Sequence, residues 1–262
     1  MNIRHFVHSV YKGGVEKLTG VPTTSTFEEE RTLTPVEFER AGNYLVTAFP
    51  AWQWSAGDAK KAKPHLPKDK QFLIVRRVPS RRRANEYGDS CEVKGLAGEQ
   101  DDGGEEWVTA EFVGGASTSG VEGAEAEVAS ASEGEDDAAV PANVAPPGQR
   151  HYDLHITWDK YYRVPRFWLV GFSQDKALSM REVYEDVSAD HAGDTITWDR
   201  HPNLGIMAAS IHPCKHASTM KTLGDMLVAE RGEFSVEHYL LLFLKFIQSI
   251  IPTIEYDYTM QG

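Results

Sequence analysis

Apolar and polar residues alternate in the second half of the chain with the period of two that is typical of strands. This alternation predicts a half-buried strand over residues 152–158. An apolar run over 166–172 predicts a second strand, and the polar pair at 159–160 predicts the turn of a hairpin between them. Residues 195–198 predict a third strand. These segments therefore indicate an antiparallel sheet.

Helical spacing dominates elsewhere. Thr34, Pro35 and Glu37 form the pattern of a capping box with proline at the first helical position, so a helix begins there. Residues 215–230 predict another helix, and Ser235 is expected to cap a last one, through Ile251, that is apolar on nearly every face. Strands followed by helices predict an α+β fold in which helices flank an antiparallel sheet.

The first half contains shorter signals. Residues 21–32 are polar and predict a loop, 51–54 predict a half-buried strand or turn, and 71–75 predict a strand. A basic cluster follows the last of these and is interpreted as a solvated loop. Its members are Arg76, Arg77, Arg81, Arg82 and Arg83.

The N-terminal segment, 2–19, has the spacing of an amphipathic helix. Basic residues lie off its apolar stripe, which suits a helix in a membrane interface, although a helix packed on the protein's own core explains the pattern equally well. The apolar stripe consists of Ile3, Phe6, Val7, Val10, Tyr11 and Leu18.

The segment 95–149 differs in composition from the rest. It contains 13 of the 39 acidic residues and no lysine or arginine, so the remainder of the chain is close to neutral. It is poor in large apolar residues and predicts disorder. Trp107 and Val108 lie in an apolar island within it, which predicts either a short docking motif or a patch that folds back on the core.

Several classes of protein are disfavoured. Two cysteines, Cys91 and Cys214, are too few for a disulfide scaffold, and the N-terminus does not resemble a secretory signal, so a reducing cytosol is expected. Uninterrupted apolar windows of about 18 residues are missing, which argues against a membrane span. The sequence also lacks the basic stripe of a nucleic-acid-binding protein.

The segment with the clearest chemistry is 211–217. Cys214 lies in a polar loop just before a helix, with Lys215 and two imidazoles nearby, a setting that favours the thiolate. Three interpretations compete: a structural thiol, a catalytic nucleophile, and a zinc site through His212, Cys214 and His216. A cysteine–histidine hydrolase also remains open. The sequence lacks a second ligand cluster at zinc spacing, so neither a metal nor a cofactor is predicted.

Several motifs in order along the chain carry a family resemblance. They are residues 33–38, 50–54, 184–188, 211–217, 243–248 and 251–258. With these motifs the chain is similar to the autophagy-related protein 3 family, which implies a core of the ubiquitin-conjugating type. Its parts would be an N-terminal membrane-binding helix (1–20), two portions of the core (21–95 and 151–262) and an acidic insertion (96–150).

The resemblance also implies an activity. An activating enzyme would load the autophagy ubiquitin-like modifier onto Cys214 as a thioester, and the modifier's C-terminal glycine would pass to the amine of phosphatidylethanolamine. Thr195 matches a threonine at the oxyanion-stabilising position, while His212, Pro213 and His216 match the motif around the cysteine, and no cofactor is involved.

Further expectations concern partners and place. The N-terminal helix would insert into membrane, and residues 97–149 would bind the activating enzyme. Trp107 and Val108 match a modifier-binding motif, in which Ala110 replaces a larger aliphatic residue. The protein would be cytoplasmic and transiently on autophagic membranes. Alternatives are conjugation to a protein lysine and a non-catalytic protein that binds the modifier or the activating enzyme.

Overall fold

An antiparallel sheet organises the chain. The computed structural model describes residues 20–80, 83–84, 150–187 and 195–254. Within them the sheet has seven strands in the order β1-β2-β3-β4-β7-β6, and β5 pairs with the outer part of β4. The strands are β1 (Gln53–Ser55), β2 (Phe72–Ser80), β3 (Arg150–Asp159), β4 (Val164–Ser173), β5 (Lys176–Ala177), β6 (Ile196–Arg200) and β7 (Met207–Ile211).

Helices flank the sheet, which confirms the α+β class expected from the sequence. They are α1 (Phe27–Glu30), α2 (Pro35–Ala48), α3 (Met180–Tyr184), α4 (His216–Arg231) and α5 (Tyr239–Ile250). Single 3-10 turns lie at Ala59–Lys61, Pro213–Lys215 and Val236–His238. Among the residues described, no helix is both long and apolar enough to cross a membrane.

The β3–β4 hairpin forms the centre of the sheet and confirms the hairpin expected there. Ten residue pairs run from Arg150 opposite Ser173 to Asp159 opposite Val164 without a break in register. One face of the hairpin packs on α5, where the rings of Phe167 and Phe243 lie 6.5 Å apart. Burial of this face supplies much of the apolar area removed from water on folding.

The opposite face of β3 is also buried, so the expectation of a half-buried strand was wrong. His155 and Thr157 lie inside, because the β6–β7 connection folds over them and contributes His201. The Nδ1 atom of His155 and the Nε2 atom of His201 lie 3.2 Å apart. The backbone N–H groups of Asn203 and Leu204 donate to Nδ1 of His201, so its proton is on Nε2 and is donated to His155.

Helix α2 begins with the expected capping box. Glu37 donates its backbone N–H to the Thr34 hydroxyl, and its carboxylate accepts the backbone N–H of Thr34. The helix packs closely on the sheet at Gly42, where a Cβ atom would lie 2.2 Å from the indole of Trp54. Trp54 also donates its ring N–H to Asn43, 3.0 Å away. Glycine thus allows helix and strand to approach.

Three boundaries differ from the sequence-based expectations. The segment 21–32 is not all loop, because Phe27 is buried against Phe234 and Tyr239 and begins α1. Strand β2 continues to Ser80, so the first two arginines of the basic cluster lie in a strand. Ser235 precedes a 3-10 turn and makes no capping bond, and α5 begins only at Tyr239. Propensity alone does not separate these alternatives.

The close contact at Gly42 leads to a stability prediction. Alanine favours a helix by about 1 kcal/mol relative to glycine, but overpacking costs about 1–3 kcal/mol, and the indole stands directly in the path of the new methyl group. Because this contact would be so short, the cost should lie at the upper end of that range, and Gly42→Ala should lower the free energy of unfolding in urea by about 2 kcal/mol. Gly20→Ala, where no atom lies within 4 Å of the new Cβ, is the control. A stabilised Gly42→Ala protein would contradict this packing.

Candidate active site

Cys214 lies at the surface, between a buried strand and a helix. Strand β7 is buried from Ala208 to Ile211 and ends beside the 3-10 turn Pro213–Lys215, which leads into α4. Pro213 is buried and occupies the first part of this turn, where its fixed φ suits a helical start. The thiol of Cys214 is free and exposed. The elements on both sides therefore fix the position of an accessible thiol.

His212 links Cys214 to Thr195. Its backbone N–H donates to the carbonyl oxygen of Thr195 over 2.8 Å, and its Nδ1 atom accepts the backbone N–H of Cys214 at 3.3 Å. The ring thus caps the turn, which places its proton on Nε2. Thr195 is half-buried and directly precedes β6. The sequence had instead predicted that it lies in the strand. The structure brings these three candidates together.

Tyr162, which the sequence analysis missed, lies beside His212 in the active-site turn. It belongs to the β3–β4 turn, which is fixed because Asp159 accepts the backbone N–H groups of Tyr161 and Tyr162 at 3.0 and 3.1 Å. Its ring meets that of His212 edge to face, 5.8 Å between centroids. Burial first, and then the proximity of Cys214, raises the pKa of Tyr162 to about 12, so its hydroxyl stays protonated at neutral pH.

His216 follows Cys214 closely in sequence but turns into the core. Its side chain is 1% exposed, and Nδ1 lies 3.0 Å from the carbonyl oxygen of Pro165, to which it donates. Nε2 is buried without a hydrogen-bond partner in the described residues. Burial lowers the pKa of His216 to about 4, so the ring is neutral at pH 7. His216 therefore ties the start of α4 to the start of β4.

The zinc interpretation finds no support in the part of the chain that the structure describes. Groups of three or more His, Cys, Asp or Glu side chains placed to hold a metal ion are absent there. The inward turn of His216 gives the reason, because its ring is buried in the core whereas the thiol of Cys214 is exposed at the surface. The expectation that no metal or cofactor is needed stays a prediction.

A second polar cluster joins the strands next to the site. Arg166 on β4 forms an ion pair with Asp199 on β6 and donates to Ser210 on β7 at 2.6 Å. Burial alone would raise the pKa of Asp199, but Arg166 and a hydrogen bond from Thr197 together lower it. The guanidinium also lies 4.5 Å above the ring of Trp168. This cluster keeps β4, β6 and β7 in register beneath the site.

Other predicted site residues lie outside the described residues. They are the membrane-binding set Ile3, Phe6, Val7, Val10, Tyr11 and Leu18, together with Trp107 and Val108. Their assignments stay predictions.

The buried ring of His216 predicts a pH dependence of stability. Its pKa falls from about 6.5 to about 4 on folding, so the unfolded chain binds the extra proton. Stability is therefore full above about pH 6.5 and is lost as the pH falls towards 4. His216→Gln retains a donor for Pro165 but does not titrate. Its free energy of unfolding should fall by about 2 kcal/mol less than that of wild type between pH 7.5 and 5. Equal losses in urea titrations at the two pH values would contradict this assignment.

Comparison with known proteins agrees with the architecture of the site. Residues 37–258 match the family model described as "Autophagocytosis associated protein, active-site domain". This range includes Thr195, Cys214 and every strand of the described sheet. The antiparallel sheet with flanking helices is the ubiquitin-conjugating-like core that the resemblance implied.

Curated relatives match along nearly the whole chain. The chain is 38% identical to Autophagy-related protein 3 of Arabidopsis thaliana, covering 97% of this chain and 95% of the relative. It is 34% identical to the Dictyostelium discoideum protein of the same name, with 97% of both chains covered. For the Schizosaccharomyces pombe protein the identity is 35%, over 94% of this chain and 95% of the other. The chain therefore belongs to the autophagy-related protein 3 family.

Proposed function

We propose that this protein is an autophagy conjugating enzyme that accepts a ubiquitin-like modifier as a thioester on Cys214 and transfers it to phosphatidylethanolamine. The observation that supports this most strongly is the exposed thiol of Cys214 on a capped turn, joined to Thr195 through the backbone of His212. An exposed nucleophile on a rigid support suits repeated acyl transfer between large partners.

The first step would load the enzyme. An activating enzyme would present the modifier's C-terminal glycine as its own thioester, and the thiolate of Cys214 would attack that carbonyl carbon. The activating enzyme's thiolate leaves, so one thioester replaces another and no net oxidation occurs. The position of Cys214 at the N-terminal end of α4 helps, because the partial positive charge of a helix N-terminus favours a nearby thiolate.

The second step would pass the modifier to the lipid. The neutral amine of phosphatidylethanolamine attacks the thioester carbonyl, and negative charge develops on the carbonyl oxygen. The Thr195 hydroxyl is proposed to donate a hydrogen bond to that oxyanion. A fixed donor stabilises the charged oxyanion more than the uncharged carbonyl of the thioester, so it lowers the barrier. The carbon–sulfur bond then breaks, Cys214 leaves as the thiolate, and the amine nitrogen loses its proton as the amide forms.

Substrate and partners follow from the same proposal. Residues 97–149 are proposed to bind the activating enzyme, with Trp107 and Val108 as a candidate contact with the modifier. The apolar stripe of residues 2–19 is proposed to insert into the membrane that contains the lipid acceptor. The protein would then be cytoplasmic and transiently associated with autophagic membranes.

Thioester charging tests the proposal. The protein is mixed with activating enzyme, ATP and modifier and then examined on gels with and without thiol reductant. Wild type should form an adduct that reductant removes. Cys214→Ser should form an adduct that resists reductant, because an oxyester is less readily cleaved by thiols, and Cys214→Ala should form none.

Either of two results would oppose this function. An adduct that persists in Cys214→Ala would assign the thioester to another residue. No adduct on wild type, with an activating enzyme that charges itself, would favour a non-catalytic binding protein.

Vesicle flotation tests the membrane part of the proposal. A charge at position 10 of the apolar stripe should oppose insertion, since moving a carboxylate into an apolar environment is unfavourable. Val10→Asp should reduce binding to small phosphatidylethanolamine-containing vesicles by about tenfold or more, whereas Val10→Leu should bind like wild type. Equal flotation of all three proteins would exclude insertion of this helix as the source of binding.

A further inference from the structure

One buried carboxylate collects hydrogen bonds from distant parts of the chain. Asp186 directly follows the α3 region and is 1% exposed. One of its oxygens accepts a hydrogen bond from Arg83 at 2.8 Å. The other accepts from Arg150 at 3.1 Å and from the Tyr152 hydroxyl at 2.5 Å. Two arginines and a phenol therefore share a single carboxylate. Burying this charged carboxylate without these partners would be costly.

The backbone around Asp186 extends the same network. Its carbonyl oxygen accepts a hydrogen bond from the hydroxyl of Thr253 at 2.5 Å. The next residue, Ile254, forms an antiparallel β-bridge with Ser80 at the end of β2. The carbonyl oxygen of Glu185 accepts the backbone N–H of Ala84 at 2.9 Å. The end of β2, the start of β3, the α3 region and the C-terminal segment therefore meet at this residue.

The two arginines have a special place in the sequence. Arg83 lies before the acidic insertion (96–150), and Arg150 is the last residue of that range. Because they bind opposite oxygens of one carboxylate, Asp186 closes the base of the long chain segment between them. Arg150 also donates to the carbonyl oxygen of Glu182 and forms an ion pair with Glu185, which is half exposed. The Glu185 carboxylate thus shares Arg150 with Asp186, and only the backbone carbonyl of Glu185 binds the segment that contains Arg83.

Asp186 also precedes the strand that supports the active site. Residues 187–194 connect it to Thr195. In addition, the Tyr184 hydroxyl donates to the carbonyl oxygen of Ile196 at 3.4 Å, which ties α3 to the first residue of β6. From Thr195 the contact continues through the backbone N–H of His212, and the ring of His212 accepts the backbone N–H of Cys214.

We propose that Asp186 is a positioning residue, which holds the two chain segments that carry Arg83 and Arg150 together with α3, the helix that is hydrogen-bonded to the start of β6. The positional claim concerns the fold, and its effect on catalysis rests on the proposed function. Removing the carboxylate charge should loosen the β6–β7 pair and the turn of Cys214 while the α5 core stays intact. Modifier transfer should then slow although the cysteine itself is unchanged.

Hydrogen exchange of the full-length chain tests the positional claim without any need for activity. In Asp186→Asn, amides of 196–200 and 207–214 should exchange about tenfold faster than in wild type, while those of α5 keep their rates. Glu185→Gln is the matched control, because it removes a carboxylate from the same arginine without opening the base of the insertion. Its exchange should match wild type.

The same variants are then examined for transfer. Discharge of a preloaded thioester to phosphatidylethanolamine vesicles should slow at least about fivefold in Asp186→Asn at a temperature where the protein is folded, with Glu185→Gln within about twofold of wild type. If wild type forms no thioester, the proposed function fails, and the exchange data still decide whether Asp186 orders the site.

Two results would overturn the proposal. Faster exchange in every element, α5 included, would show a general loss of stability only. Unchanged exchange at 196–200 and 207–214 in a folded Asp186→Asn protein would show that the carboxylate does not order the site. Should Asp186→Asn fail to fold, Arg83→Met removes the more accessible ion pair, with the exposed Arg76→Met as control, and the same two regions decide.

Discussion

The pairing of β7 with strands on both of its sides positions the whole candidate site. On one side β7 pairs with β4 at the centre of the sheet, and on the other it pairs with β6 along all five residues. The register that places Ile196 opposite Ile211 also places Thr195 beside His212, so one backbone hydrogen bond continues the ladder into the active-site turn. The thiol therefore stands on a short turn that a paired strand precedes and a helix follows, which fixes its position.

Polar groups around this strand divide into structural and exposed sets. The buried histidines keep neutral rings, with pKa values of His155 and His216 lowered by burial to about 4. They supply directional hydrogen bonds without a charge in the core, which limits the desolvation cost. Arg166, by contrast, keeps its charge and is balanced by Asp199. The proposed chemistry is left to the surface, where Cys214 is exposed.

The sequence predicted the parts of this fold that depend on local pattern. The hairpin, the capping box of α2, the helix after Cys214 and the α+β class all follow from periodicity and end signals. The burial of the second face of β3 could not be predicted in this way. The alternation of apolar and polar residues reports only side-chain chemistry, whereas the polar His155 is buried by His201, a residue distant in sequence.

The candidate site shows the same limit. Cys214 and its motif are adjacent in sequence and could be singled out there, whereas Tyr162 comes into contact with His212 only through the β3–β4 turn. Asp186 belongs to the motif at 184–188 that carries the family resemblance. Its proposed positioning role, however, depends on Arg83 and Arg150, which are separated in sequence by residues 84–149. Such contacts appear only once the tertiary pairing is known.

We propose that Thr195 and Cys214 act together in modifier transfer. The most direct test is single-turnover discharge of a preloaded Cys214 thioester to phosphatidylethanolamine vesicles, measured for wild type, Thr195→Ser and Thr195→Ala. Loss of one oxyanion donor should slow discharge about 10²–10³-fold in Thr195→Ala, while Thr195→Ser, which retains the hydroxyl, should stay within about tenfold of wild type. Discharge of Thr195→Ala at the wild-type rate would show that the Thr195 hydroxyl does not stabilise the oxyanion.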